Sequence, residues 1–251
     1  MAAALAGFGK VVDKLDTYYD LIAAVDKLGA LADLPQERRV GLVREAADEP
    51  LALGAKDLVL LGTPVSLEVA PGECVWMTVS SHLRSDLAET LVGLRDPELG
   101  TVRHDGADLR TLHPESIYAQ VALVRSEDLI HGTIRENIAL ARTGVDDARV
   151  WWALGKVRLA DCVAGLARGL DTPLGPRGRP LSPSQVSRLM VARALAGRPR
   201  LIVVDGMVED AEAPTRDAIL DALRDGPTVV LLSTTGSAPK GFRNMNQGVE
   251  S

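Results

Sequence analysis

A chain of 251 residues is long enough to bury a substantial core, which excludes a small disulfide-stapled fold. With 46% hydrophobic and 25% charged residues it has an ordinary globular composition, so disorder as the main state is excluded. The net charge of −6 and the lack of a basic stripe exclude a dedicated nucleic-acid binder, and 3% aromatics leave few stacking platforms.

The two cysteines, Cys74 and Cys162, lie far apart without CxxC spacing, so neither a zinc site nor a disulfide framework is expected. Their pattern fits a reducing cytoplasm. The opening Met1–Phe8 is apolar but too short for a membrane span, and its charge layout is not that of a signal peptide. The expectation is a cytoplasmic chain with no direct membrane span.

In chain order, Val11, Leu15, Tyr18, Ile22, Val25 and Leu28 recur every three or four positions, predicting an amphipathic helix from Lys10 to Asp33. Leu34-Pro35 ends it, and Gln36–Pro50 reads as a linker or hairpin. Asp57–Leu61 and Val65–Val69 predict strands, and Cys74–Val79 a third after the turn Ala70-Pro71-Gly72-Glu73. Leu87–Leu94 predicts a helix, and Gly100–Asp105 another strand. From Ile134 to Leu170 helical patterns broken at Gly144 and Gly155 predict a helical insert.

After the Pro/Gly-rich run Pro173–Pro180, Ser184–Ala196 predicts a helix and Leu201–Val204 a buried strand ending at Asp205. Arg216–Arg224 predicts a helix, and Thr228–Ser233 a second buried strand. Such continuous Val/Leu/Ile runs imply parallel strands covered on both faces, an α/β class. Gly236–Ser251 reads as a mobile tail.

Several segments then fall into a recognisable order. They are Ser66–Glu73, Gly93-Leu94-Arg95-Asp96-Pro97, Gly132–Ile138, Gly169-Leu170-Asp171-Thr172, Leu181-Ser182, Ala192–Leu195, Pro199–Asp205 and Thr228–Leu232. Together they resemble the ATP-binding domain of ABC transporters, most closely the exporter-type branch, from about Asp57 to Thr235. The resemblance implies a P-loop NTPase-like core at 56–235 with a helical subdomain at about 134–180. It leaves an N-terminal helix and linker at 1–55 and a tail at 236–251.

The positions that the family uses for chemistry differ. A phosphate loop needs glycines, a lysine and a hydroxyl. Here Thr78–Asp86 contains no glycine, with Ser81, Arg84, Ser85 and Asp86 in the degenerate loop. Arg84 falls near the lysine position, but a planar fork does not replace a compact ammonium. Asp86 is expected at the mouth of the following helix, with Glu89 as its capping-box partner. Asp205 stands where the resemblance puts a metal-supporting aspartate, although alone it also reads as a strand-end cap. Gly206 takes the place of the catalytic carboxylate, whose loss removes a factor of about 10²–10⁴ from hydrolysis.

The signature-like stretch Leu181-Ser182-Pro183-Ser184-Gln185 keeps a helix start, with Ser182 as N-cap and Pro183 at the first position. Pro183 offers no N–H to an anion. Arg125 and Thr234 stand at the family's glutamine and histidine positions, and no aromatic residue before Val65 suits stacking on adenine. His82, His104, His113 and His131 share no ligand spacing and read as surface residues, so no metal is expected. Asp146-Asp147 and Glu209-Asp210-Ala211-Glu212 read as solvated faces.

The resemblance therefore implies a catalytically inactive homologue with no catalytic residue and no expected cofactor. Its role would be that of a scaffold or regulatory subunit for an ABC exporter subunit or related ATPase domain. The segment Tyr18–Leu28 resembles the end of an exporter's last membrane helix without its membrane part. Its stripe is free to pack on its own domain, pair with a second copy or dock on another protein. An enzyme with residual ATP and Mg binding and slow hydrolysis is the alternative. A third option gathers Arg84, Arg125 and Arg135 around a different anion.

Overall fold

A computed structural model describes residues 41–43, 48–125, 128–140, 144–209, 211–224 and 226–246. The chain divides into Met1–Arg39 and Val40–Ser251, and every described residue belongs to the second unit. The predicted helix from Lys10 to Asp33 and its apolar stripe lie outside the described residues.

The unit opens with β1 (Leu53–Leu60) and β2 (Thr63–Val69), an antiparallel pair with Leu53 opposite Val69. With β4 (Leu99–His104) and β5 (Ala107–Asp108) they form a four-stranded sheet in the order β2-β1-β4-β5. β1 alternates buried and exposed positions, as expected of a sheet with one wet face. The second sheet is parallel throughout. It takes β3 (Cys74–Thr78), β6 (Val121–Val124), β9 (Leu201–Asp205), β10 (Thr228–Ser233) and β11 (Arg243–Asn246) in the order β11-β3-β10-β9-β6.

β9 and β10 are buried at every position, because both faces of this sheet are covered. Successive residues feed two different cores. Trp76, Ile202, Val204, Val229 and Leu231 pack on one side, and Val75, Met77, Leu201, Val203, Val230 and Leu232 on the other. The first core receives α4 (Asp147–Lys156), α6 (Pro183–Ala196) and α7 (Ala213–Leu223); the second receives α1 (Ser81–Leu91) and the antiparallel sheet. α2 (Pro114–Tyr118) leads into β6.

The predicted helical insert is present as α3 (Ile134–Ala139), α4 and α5 (Ala160–Ala164). A short β7–β8 pair, Gly132–Thr133 with Pro173–Leu174, ties its two ends. Thr133 and Glu136 close a capping box at the start of α3, so this helix start is written locally.

Three expectations need correction. α1 begins at Ser81, not Leu87, because Leu83, Leu87, Ala88 and Leu91 form one buried helical stripe that runs back through the loop sequence. The expected tail is in part β11, the edge strand, whose Arg243 lies opposite Val75 on β3. Arg243 also donates to the Glu68 carbonyl and to the Glu73 carboxylate, which fastens the edge. Finally, His104 is not on the surface: it is buried and donates from Nε2 to the Leu91 carbonyl at 2.9 Å. Burial pushes its pKa down to about 4. No helix of the described residues is long and apolar enough to cross a membrane.

Candidate functional site at the strand ends

In open parallel sheets the crevice lies outside the carboxyl ends of the strands, where the chain leaves each strand for its crossover. Here β3, β6, β9 and β10 deliver α1, Arg125, Asp205 and Ser233-Thr234 to that edge. Arg84 sits one turn into α1, placed by the buried Leu83 and Leu87 on either side of it. Its Nε donates to Asp205 Oδ1 at 2.8 Å and its Nη1 to Glu209 Oε1. The other oxygen of Asp205 accepts from Ser85 Oγ at 2.9 Å and from Arg125 Nε at 3.1 Å.

The pairing continues outward. Arg125 Nη2 donates to Glu89 Oε1 at 3.0 Å, Arg95 Nε donates to Glu89 Oε2 at 3.1 Å, and Arg95 Nη2 lies 3.3 Å from Asp86. Seven charges alternate in sign along this row, from Glu209 through Arg84, Asp205, Arg125, Glu89 and Arg95 to Asp86. The inner carboxylates are the most deeply placed, with side chains 5% exposed at Asp205 and 9% at Glu209. Carboxylates so far from water are tolerable only because each is paired and hydrogen-bonded.

Glu209 Oε2 accepts from Ser233 Oγ at 2.7 Å, Thr234 N–H at 2.7 Å and Thr234 Oγ1 at 3.0 Å. Burial raises its pKa, but these bonds and the Arg84 charge outweigh it and hold the carboxyl below its ordinary range. Burial likewise opposes the charge of Glu89, and Arg125 and Arg95 override it, so Glu89 too is lowered. Arg125 is raised, because Glu89 and Asp205 outweigh its burial.

Gly206 is what lets Arg84 lie there. A Cβ at this position would stand 2.2 Å from Arg84 Cζ, and the glycine has φ +72°, which disfavours a side chain independently. The guanidinium thus fills the space over the residue that follows Asp205. The amides of the preceding segment are used internally: Val79 N–H donates to the Ser233 carbonyl and Leu83 N–H to that of Ser80.

The expected roles of the sequence-predicted residues divide accordingly. Arg84, Asp205, Ser182 and Ser184 line one cleft of about 600 Å³, together with Glu212 and Thr215. Ser85 reaches the centre through Asp205. Ser81 is an exposed residue in the first turn of α1. Asp86 does not cap α1, as it lies mid-helix beside Arg95, and Glu89 is no capping partner; the N-cap is Ser80, without a side-chain cap bond. Gln185 is held at the start of α6, donating to Cys162 Sγ at 3.0 Å while its Oε1 accepts the Ser182 N–H at 2.8 Å.

Arg135 does not join Arg84 and Arg125. It pairs with Asp147 and Asp171 in the helical insert. Glu209 is the residue that sequence reading missed, having been grouped with a solvated face; Asp210 lies outside the described residues. Among the described residues no group of three or more His, Cys, Asp or Glu side chains is arranged to hold a metal ion.

Comparison with known proteins accords with this architecture. Residues 63–208, more than half of the chain, match the family model described as ABC transporter. The chain is 27% identical over 256 residues to the uncharacterized ABC transporter ATP-binding protein YwjA of Bacillus subtilis, covering 98% of this chain and 43% of that protein. It is 32% identical over 174 residues to the mitochondrial potassium channel ATP-binding subunit of Rattus norvegicus, covering 67% of this chain and 24% of that one. A solved bacterial Atm1-family ABC exporter with ATP bound superposes with a TM-score of 0.74 at 26% identity, covering 85% of this chain and 40% of that chain. The chain therefore spans less than half the length of these relatives. By its family match, its strand order and its two-sided core, it belongs to the ABC transporter family as a homologue of the ATP-binding domain.

Proposed function

We propose that this chain is an ABC transporter ATP-binding domain homologue that has exchanged nucleotide handling for a structural role, acting as a scaffold or regulatory subunit. One observation carries the reading: the Arg84 guanidinium lies over Gly206 and pairs with Asp205 and Glu209. A Mg·triphosphate does not fit these residues. Asp205, the carboxylate that would support the metal, has both oxygens taken by Arg84, Ser85 and Arg125. No glycine lies between Gly72 and Gly93 to let backbone amides converge on phosphates.

The partner fitting this reading is an exporter subunit or a related ATPase domain, with a second copy of the chain as the other option. Its place is the cytoplasmic side of a transporter. The rival reading is an ATP-binding subunit with residual binding and slow hydrolysis; it draws on the family membership and on the ATP held by the similar exporter. Calorimetric titration of the full chain with Mg·ATP separates the two. No heat of binding up to millimolar nucleotide is expected, whereas saturable binding in the micromolar range overturns the proposal. Co-purification with a transporter subunit is expected, and recovery of a lone monomer counts against the scaffold role.

A further inference from the structure

We propose that the chain carries a built-in occupant of its strand-end crevice: the row of alternating charges from Glu209 to Asp86 fixes the segments after β3, β6, β9 and β10 in one arrangement without any ligand. The proposal rests on the reading above and goes further, since a site that merely lost its ligand could be left loose.

The connectivity is the argument. Four segments leave the sheet at this edge, and each contributes a charge or a hydrogen bond to the row: Arg84, Ser85, Asp86 and Glu89 from α1, Arg125 after β6, Asp205 and Glu209 around the end of β9, Ser233 at the end of β10 and Thr234 after it. Asp205 alone joins three side chains from two of the other segments. Glu209 bridges from Arg84 to the backbone N–H of Thr234. Cutting the row at Arg84 therefore frees α1 from Glu209 and leaves Ser85 as its bond to Asp205.

The inner acceptors of the row are also filled. Three arginines face four carboxylates, and each inner carboxylate oxygen already accepts from a side chain. An incoming anion would meet carboxylates, and an incoming cation would have to displace an arginine from a buried acid. Gly206 completes the device, since any larger residue would drive the guanidinium out.

Hydrogen–deuterium exchange of the full chain tests this. Amides in residues 81–91, 205–209 and 233–235 are expected to be protected in the ligand-free chain and unchanged by millimolar Mg·ATP. In Arg84→Gln their exchange should accelerate together by about tenfold or more, while β1 and β2 stay unaffected. Arg84→Lys, which keeps the charge but cannot bridge Asp205 and Glu209, should fall between the two and guards against a Gln variant that fails to fold. Fast exchange in the unmodified chain, or acceleration confined to residues beside position 84, overturns the built-in occupant while leaving the absence of nucleotide binding intact. Tightening of these segments by Mg·ATP overturns both.

Discussion

Two helices leave the crevice, and they are started in opposite ways. α6 begins with Ser182 bonded to the Gln185 N–H, the Gln185 side chain returning to Ser182, and Pro183 at the first position. All of it lies within four consecutive residues. α1 begins at Ser80 with no side-chain cap, and what holds its first turns are Arg84 and Ser85 reaching residues more than a hundred positions away. Its far end is also anchored from outside, by the His104 bond to the Leu91 carbonyl. Short-range capping survives changes elsewhere in the molecule; a helix held by distant charges depends on every one of them.

The sharpest way to break this contrast is Arg84→Ala, which leaves two inner carboxylates short of a partner. Loss of one member of a buried pair costs about 3–5 kcal/mol, and since Arg84 itself is 26% exposed the lower end is expected, read as a shifted denaturation midpoint. If Arg84→Ala unfolds at the same denaturant concentration as the parent, α1 does not depend on the row.

The second test concerns the other end of α1. With its pKa lowered from 6.5 to about 4, His104 stays neutral in the folded chain between these pH values, where it takes up a proton on unfolding. The unfolded state therefore binds more protons between these values, so this stability is complete above pH 6.5 and declines as the pH falls towards 4. The decline is on the order of 3 kcal/mol. His104→Gln should flatten the stability profile across that window. Glu209 and Glu89 act lower down: with folded values depressed, their contribution is complete above about pH 4.5 and is lost only as the pH falls through the lowered values.

The smallest effect belongs to α6. Ser182→Ala removes a cap worth about 1 kcal/mol and should lower the denaturation midpoint without disturbing the pairing of Arg84 with Asp205. A loss as large as that of Arg84→Ala would mean that α6, too, is tied into the row.

The fold was largely legible, since β9, β10 and α6 follow from continuous apolar runs and local caps. The start of α1 was not legible, because absence of glycine reads as a broken loop until Leu83 and Leu87 are seen on one buried stripe. β11 escaped notice because Arg243–Asn246 is polar except at Met245, and its strand character comes from pairing with β3. At the site, the departures at Arg84, Gly206 and Arg125 were visible one by one. Glu209 was not, as an acidic residue among acidic neighbours carries no mark of burial.

By itself the sequence determined the elements whose causes lie within a few residues: apolar runs that seek two covered faces, and helix starts written as capping boxes. Only the tertiary structure decided that Arg84, Asp205, Glu209 and Arg125 complete one another. Charge pairing acts through space at about 3 Å, and residues 84 and 205 meet only after the parallel sheet has brought β3 and β9 to a common edge.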